Sequence, residues 1–107
     1  MTSRLEHPTI LHKLGEHEYL AYEVTDHAEH PPTSIVVRVE RHGDPKHAVF
    51  CTGSFVDGKL TRVYARTPEQ AETPEERAMI GLFNASPDLQ SFVRDWIQYA
   101  YDSYEKA

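Results

Sequence analysis

Histidine is the residue type that first suggests chemistry in this chain, which has seven histidines in 107 residues. His27 and His30 precede two prolines, whereas His42 and His47 flank a Gly-Asp-Pro sequence. A metal site needs ligand nitrogens that converge at about 2.0 to 2.2 Å from the ion. Pro31 keeps His30 out of helical geometry, and the five-residue step from His42 to His47 matches no recurrent ligand spacing. We therefore expect solvated histidines and no cofactor, with these four histidines as the alternative metal ligands.

Cys51 is the only cysteine, so the chain has no internal disulfide and no thiolate zinc cage. Its place within an alternating segment predicts a small buried hydrophobic side chain rather than a nucleophile. The alternative is a concavity of the sheet near Cys51, Arg62, Tyr64 and Arg66, rimmed by histidines, which would bind a small molecule or a metal and support enzymatic activity. The chain has no nucleophile elbow and no glycine-rich phosphate loop, which favours a non-catalytic function.

Aromatic and acidic residues are concentrated near the end of the sequence. A helix buries one stripe of side chains, and a single stripe cannot cover all four rings in this segment. Because Tyr99 and Tyr101 point in different directions, at least one of them is expected to be exposed. Tyrosine combines apolar area with a polar tip and is enriched at interfaces. The candidate partner-binding residues are therefore Trp96, Tyr99, Tyr101, Tyr104, Asp95 and Asp102.

Charge is distributed unevenly in this acidic chain, whose formal net charge is −6. Residues 38–66 contain six basic and three acidic residues, whereas residues 69–107 contain eight acidic and three basic ones. Binding to a phosphate backbone depends on Lys and Arg, so the acidic balance argues against direct nucleic-acid binding by Arg62, Tyr64 and Arg66. We expect the partner to be another protein or a second copy of the chain as a homodimer.

The length and composition predict one domain spanning residues 1–107, with a strand-rich part over 1–66 and a helical part over 67–107. No apolar run approaches the roughly 18 residues that a membrane helix needs. The first residues lack the apolar centre of a signal peptide. We therefore expect a cytoplasmic protein without a membrane-spanning segment.

Alternating side chains predict strands over 17–25, 33–41, 47–56 and 59–66. The first of these strands places Leu20, Tyr22 and Val24 on one face. Residues 10–14, which precede it, fit either a helical turn or an edge strand. Asp57-Gly58 predicts a tight hairpin that sets Val56 opposite Lys59 and Cys51 opposite Tyr64, and hence Phe50 opposite Ala65. We expect helices to cover one face of the sheet, and a loop, the N-terminal segment or a partner to cover part of the other.

Helix-start signals follow the strands. Thr73-Pro74 places a capping hydroxyl before a proline at the first helical position, with Glu76 positioned to complete a capping box. Thr67-Pro68 repeats this pattern, and Ser86-Pro87 begins the last helix. The apolar stripe of that helix is expected to contain Leu89, Phe92, Val93, Trp96, Ile97, Ala100 and Tyr104. The expected fold class is α+β, with an antiparallel sheet of about four strands followed by two C-terminal helices packed on one face.

The segment 76–89 resembles a helix–proline–helix motif of small phage and prophage proteins of unknown function. Leu82-Phe83, the small residues 84–86 and Pro87-Asp88-Leu89 follow the order of that motif, although Gln90 stands where a second leucine is usual. The resemblance covers under a fifth of the chain and implies a phage or prophage origin, with no catalytic residues. Together these features predict a non-catalytic protein-binding module, or an accessory or inhibitor protein, that acts through an acidic and aromatic helical surface.

Overall fold

The structure is a computed structural model that describes residues 11–24 and 33–106. Five antiparallel strands lie in the sheet in sequence order, namely β1 (Leu11–Leu14), β2 (His17–Glu23), β3 (Ser34–Arg41), β4 (Asp44–Val56) and β5 (Lys59–Ala65). A short 3-10 helix (Pro68–Gln70) leads to α1 (Pro74–Ala85) and α2 (Pro87–Lys106). The predicted α+β class is confirmed, with five strands in the sheet where about four were expected.

The additional strand, β1, forms one edge of the sheet. It pairs with β2 so that Leu11 lies opposite Leu20 and Leu14 lies opposite His17. Gly15 in the connecting turn has a φ of 64°, in the left-handed region that glycine adopts without a steric penalty. Of the two structures that the sequence allows for residues 11–14, the chain adopts the edge strand.

Strand β2 turns its larger apolar face away from the helices. In its register with β3, Ala21 lies opposite Val39 and Tyr22 lies opposite Arg38. Since Val39 is fully buried in the core, Ala21 joins it there, together with Tyr19. Tyr22 and Val24, which share the other side of the strand, are exposed. Both faces of this segment carry apolar residues, so only the pairing with β3 determines which face is buried.

A β-bulge in the β4–β5 hairpin changes the predicted register. Asp57 and Gly58 have φ values of 52° and 77°, as a two-residue turn requires, and Val56 lies opposite Lys59 as predicted. The register then shifts by one residue, so Cys51 lies opposite Ala65 rather than Tyr64. A shift of one residue exchanges the two faces of a strand. Past the bulge, Val63 and Ala65 pack against the core, and Arg62 and Tyr64 lie on the other side of the sheet.

The hydrophobic core lies between the sheet and the two helices. Helix α1 contributes Met79, Ile80 and Phe83. The predicted stripe of α2 is buried, except that Phe92 is half-buried and Tyr101 joins it. The buried residues of the strands and of α2 are Tyr19, Ala21, Ile35, Val37, Val39, Val49, Cys51, Phe55, Leu89, Val93, Trp96, Ile97, Ala100, Tyr101 and Tyr104. Within the described ranges, no helix has the length and apolar character needed to cross a membrane.

The predicted caps fix where the helices begin. The Thr73 hydroxyl accepts a hydrogen bond from the backbone N–H of Glu76 at 3.0 Å, and the Ser86 hydroxyl accepts one from Leu89 at 3.1 Å. The Glu76 carboxylate accepts a hydrogen bond from the backbone N–H of Glu72. The predicted capping box would instead use the backbone N–H of the next residue, Thr73. These bonds satisfy N–H groups that have no partner within the helix, and they start α2 directly after α1.

Candidate binding surfaces

The predicted helical surface retains one exposed aromatic ring. Trp96, Tyr101 and Tyr104 are each only 3% exposed, so these three candidates contribute to the core rather than to an accessible surface. Tyr101 stacks on Phe55 with ring centroids 4.0 Å apart. The Tyr104 hydroxyl donates a hydrogen bond to the Glu23 carboxylate at 2.9 Å, which explains how its polar end is accommodated in a buried position.

The exposed part of this surface consists of Tyr99 and Asp95, with the half-buried Asp102 beside them on α2. Tyr99 is 44% exposed, which agrees with the expectation that either Tyr99 or Tyr101 faces outward. Asp102 accepts a hydrogen bond from the Gln98 amide at 3.0 Å, so its carboxylate already has one partner within the helix. The helical surface is therefore mainly acidic and much less aromatic than the sequence predicts.

The four residues of the alternative ligand site do not form one pocket. Cys51 is fully buried on the helix-facing side, and burial raises the pKa of its thiol to about 12. Arg62 and Tyr64 lie on the opposite side of the sheet because of the bulge. The Arg66 guanidinium lies 3.5 Å from the Glu72 carboxylate and donates to the carbonyl of Gln70. The sheet separates the thiol from Arg62, whereas Tyr64 and Arg66 line a cleft of about 490 Å³ between β5 and the junction of the two helices. The structure therefore does not bring the four residues together.

Of the four candidate metal ligands, the structure describes His42 and His47. His42 is exposed in the β3–β4 turn, and the Nδ1 of His47 lies 2.8 Å from Asp44. His27 and His30 lie outside the described residues. Within the part of the chain that the structure describes, no group of three or more His, Cys, Asp or Glu side chains is arranged to hold a metal ion.

The side of the sheet opposite the helices carries a continuous set of large side chains, which we call the open sheet face. Tyr22, Phe50 and Tyr64 on β2, β4 and β5 are 37%, 38% and 38% exposed. Each is long enough to contact a molecule lying across the strands. The apolar side chains and arginines of the open sheet face are Leu11, Leu20, Tyr22, Val24, Val36, Arg38, Phe50, Arg62 and Tyr64. Lys13, Glu18 and Glu40 lie on the same side of the sheet.

Two guanidinium groups lie over rings of the open sheet face. Arg38 is 5.5 Å from the centroid of the Phe50 ring, and Arg62 is 4.4 Å from that of Tyr64. Arg38 also donates to the carbonyl of Pro45 at 2.7 Å and, through its Nε, to the Glu40 carboxylate at 3.4 Å. These contacts hold the guanidinium at the centre of the face. Stacked arginines present their N–H groups sideways, where they can donate to the carboxylates of a bound molecule.

Tyr22 completes the central row of the open sheet face. It lies opposite Arg38, which in turn lies opposite Phe50 on the next strand. Partial burial, followed by the neighbouring Glu40 carboxylate, raises the pKa of the Tyr22 phenol, and Arg38 opposes this change. The phenol therefore stays protonated at neutral pH and can donate a hydrogen bond.

Sequence reasoning identified Arg62 and Tyr64 but not Tyr22 or Phe50. Both missed residues lie in strands with apolar residues on both faces, a pattern that does not show which face is buried. The usable signal is Arg38, because a charged residue that alternates with Val37 and Val39 indicates the side of β3 that faces away from the core. Comparison of the chain with models of protein families, with curated proteins and with solved structures gives no match.

Proposed function

We propose that this chain is a non-catalytic protein-binding module and that its open sheet face holds a segment of another protein with both acidic and apolar side chains. The observation that carries the proposal is the row of exposed rings, two of them covered by arginines, on a face with no helix packed against it in the described part of the chain. Contiguous exposed apolar side chains on a sheet are typical of interaction sites.

The residue types on this face favour a protein partner. Tyr, Phe and Arg are enriched at protein interfaces, where rings supply most of the buried area and arginines supply directional hydrogen bonds. Val24 and Val36 add aliphatic surface between the rings, which suits apolar side chains better than nucleotide phosphates. The overall charge of −6 also opposes the approach of a polyphosphate chain.

Charge favours a different protein over a second copy packed face to face. A symmetric contact would bring together two faces that each carry more basic than acidic side chains, and like net charge weakens an interface. A segment with Asp or Glu beside apolar residues meets no such repulsion. Arg38, Phe50, Arg62 and Tyr64 of this face lie within the basic part of the chain, residues 38–66.

Selection from a displayed library of random peptides tests the proposal, because such a library contains peptides of very varied composition. The immobilised chain should enrich peptides in which Asp or Glu alternates with apolar residues. Phe50→Ser should weaken their binding by about tenfold or more, since central interface rings often contribute that much. Tyr99→Ser on α2 is the matched control, because it removes an equally exposed ring from the helical surface.

The pattern of losses decides between the surfaces. Loss with Phe50→Ser and retention with Tyr99→Ser supports the open sheet face, whereas the reverse pattern would assign binding to the helical surface with Asp95 and Asp102. If the chain binds labelled oligothymidine and Phe50→Ser abolishes that binding, the ligand of the face is single-stranded nucleic acid rather than a protein. Sedimentation that shows a dimer of the natural chain but a monomer of Phe50→Ser would make the partner a second copy.

A further inference from the structure

A cleft lies on the side of the sheet that faces the helices, between the β1–β2 turn and the junction of α1 and α2. We infer that this cleft binds a small organic monoanion with an apolar body, of which a monocarboxylate is the simplest example. The site shares no residue with the open sheet face, so the inference does not depend on the proposed function.

The cleft has a volume of about 600 Å³ and mainly apolar walls. Leu14 from β1 and Tyr19 from β2 form one side, and Met79 and Leu82 from α1 form the other. Tyr19 and Met79 are almost completely buried, so the cleft reaches down to the core. Ligand sites are typically concave and apolar with a few polar groups that orient the ligand.

Arg41 supplies a cation on the wall of the cleft. Its side chain is 24% exposed, and its buried Nε makes no hydrogen bond to any described residue. Its Nη1 lies 3.8 Å from the Asp44 carboxylate, too far for a hydrogen bond. Because the Nε is buried, a ligand in the cleft would contact the rest of the guanidinium, and a carboxylate is the acceptor that best matches its planar donors.

The charges around the cleft restrict the ligand to a single negative charge. His17 and His47 line the same cleft as Arg41, and His47 shares Asp44 with it. Glu16 and Asp88 also line the cleft and would repel a phosphate or a dicarboxylate. Arg41 is the one guanidinium that lines the cleft within the described residues, so the site suits a ligand with a single anionic group whose remaining atoms lie against Leu14 and Leu82.

A pair of dyes that differ only in charge tests this inference. The probe 8-anilinonaphthalene-1-sulfonate has an aromatic body and one sulfonate, and N-phenyl-1-naphthylamine has the same body without charge. The sulfonate should bind the chain with enhanced fluorescence, and decanoate should displace it far better than 1-decanol. Thermal melting should remain cooperative under the same conditions, which excludes dye binding to a partly unfolded state.

Three variants locate the site. Arg41→Gln should lower the affinity for the sulfonate dye and for decanoate by about tenfold or more, because it removes a charged hydrogen-bond donor. The same change should leave the uncharged dye almost unaffected. Ala78→Phe should exclude both dyes, because Ala78 lines the cleft. Lys59→Gln, at the β4–β5 turn, removes an equal charge outside the cleft and should change nothing.

Equal displacement by decanoate and 1-decanol would overturn the inference, as would dye binding that Ala78→Phe leaves unchanged. If Arg41→Gln melts without cooperativity, Arg41→Lys provides the second measurement. It keeps the charge but not the planar fork, so it should bind decanoate with intermediate affinity. Unchanged affinity in Arg41→Lys and Arg41→Gln would show that Arg41 does not hold the anion.

Discussion

At the scale of single residues, the environment of Cys51 removes most of its reactivity. The thiol is fully buried among the sheet and the helices, and burial disfavours the charged thiolate, so the pKa rises to about 12. The thiolate is the reactive form of cysteine, and it is therefore rare in the folded protein at neutral pH. Cys51 acts as a small apolar residue of the core, as its position in the alternating segment predicts.

Labelling of Cys51 by an aromatic disulfide reagent at pH 8 is expected to be very slow in the native protein and complete within the mixing time in denaturant. The contribution of neutral Cys51 to the free energy of unfolding is fully present below the pKa of the thiol in the unfolded chain. It is lost as the pH rises from there towards 12, because the thiol of the unfolded chain ionises first. Cys51→Ala serves as the control for other alkaline effects. Rapid stoichiometric labelling of the folded protein would contradict this account.

At the scale of elements, α2 crosses β4 at a glycine. A Cβ atom added at Gly53 would lie 2.7 Å from a methyl group of the buried Ile97. Its φ is not in the left-handed region, so close approach of the helix, rather than backbone geometry, accounts for glycine here. Gly81 in α1 is the opposite case, since a Cβ there would have nothing within 4 Å.

These two glycines make a matched pair for thermal and chemical denaturation. Gly53→Ala should lower the free energy of unfolding by about 1 to 3 kcal/mol, because the added methyl group overpacks the contact with Ile97. Gly81→Ala should raise it by about 0.5 to 1 kcal/mol, because alanine favours the helix and restricts the unfolded chain. A stabilised Gly53→Ala would show that α2 does not lie this close to the sheet.

At the scale of the whole molecule, the fold separates charge. The strands from Arg38 to Arg66 form the basic part and the segment from Glu69 onward forms the acidic part, while the net charge stays at −6. Such a charge distribution orients a charged molecule as it approaches, because an acidic segment is attracted to the basic strands and repelled by the acidic helices.

Salt dependence measures this steering. The association rate of a selected acidic peptide should fall by about tenfold between low salt and about 0.5 M salt, because screening shortens the range of the attraction. A version of the peptide with Asn and Gln in place of Asp and Glu should bind more weakly and show almost no salt dependence. A rate that rises with salt for the acidic peptide would mean that the acidic helices, rather than the sheet, dominate its approach.

The sequence by itself determined the features that depend on neighbouring residues. Thr73-Pro74 and Ser86-Pro87 predicted the helix starts because a capping hydroxyl acts within one turn, and the stripe of α2 predicted its buried side because helical period is a local property. The Asp57-Gly58 turn was predicted for the same reason. The resemblance of residues 76–89 to phage proteins remains a prediction.

Only the tertiary structure decided which face β2 and β5 bury. The bulge between Ser54 and Phe55 moved Arg62 and Tyr64 to the open sheet face, and pairing with β3 turned Tyr22 outward. A strand with apolar side chains on both faces is equally consistent with either orientation until its partners fix the register. The open sheet face and the cleft beside Arg41 both arise from contacts between distant segments, which local sequence patterns do not specify.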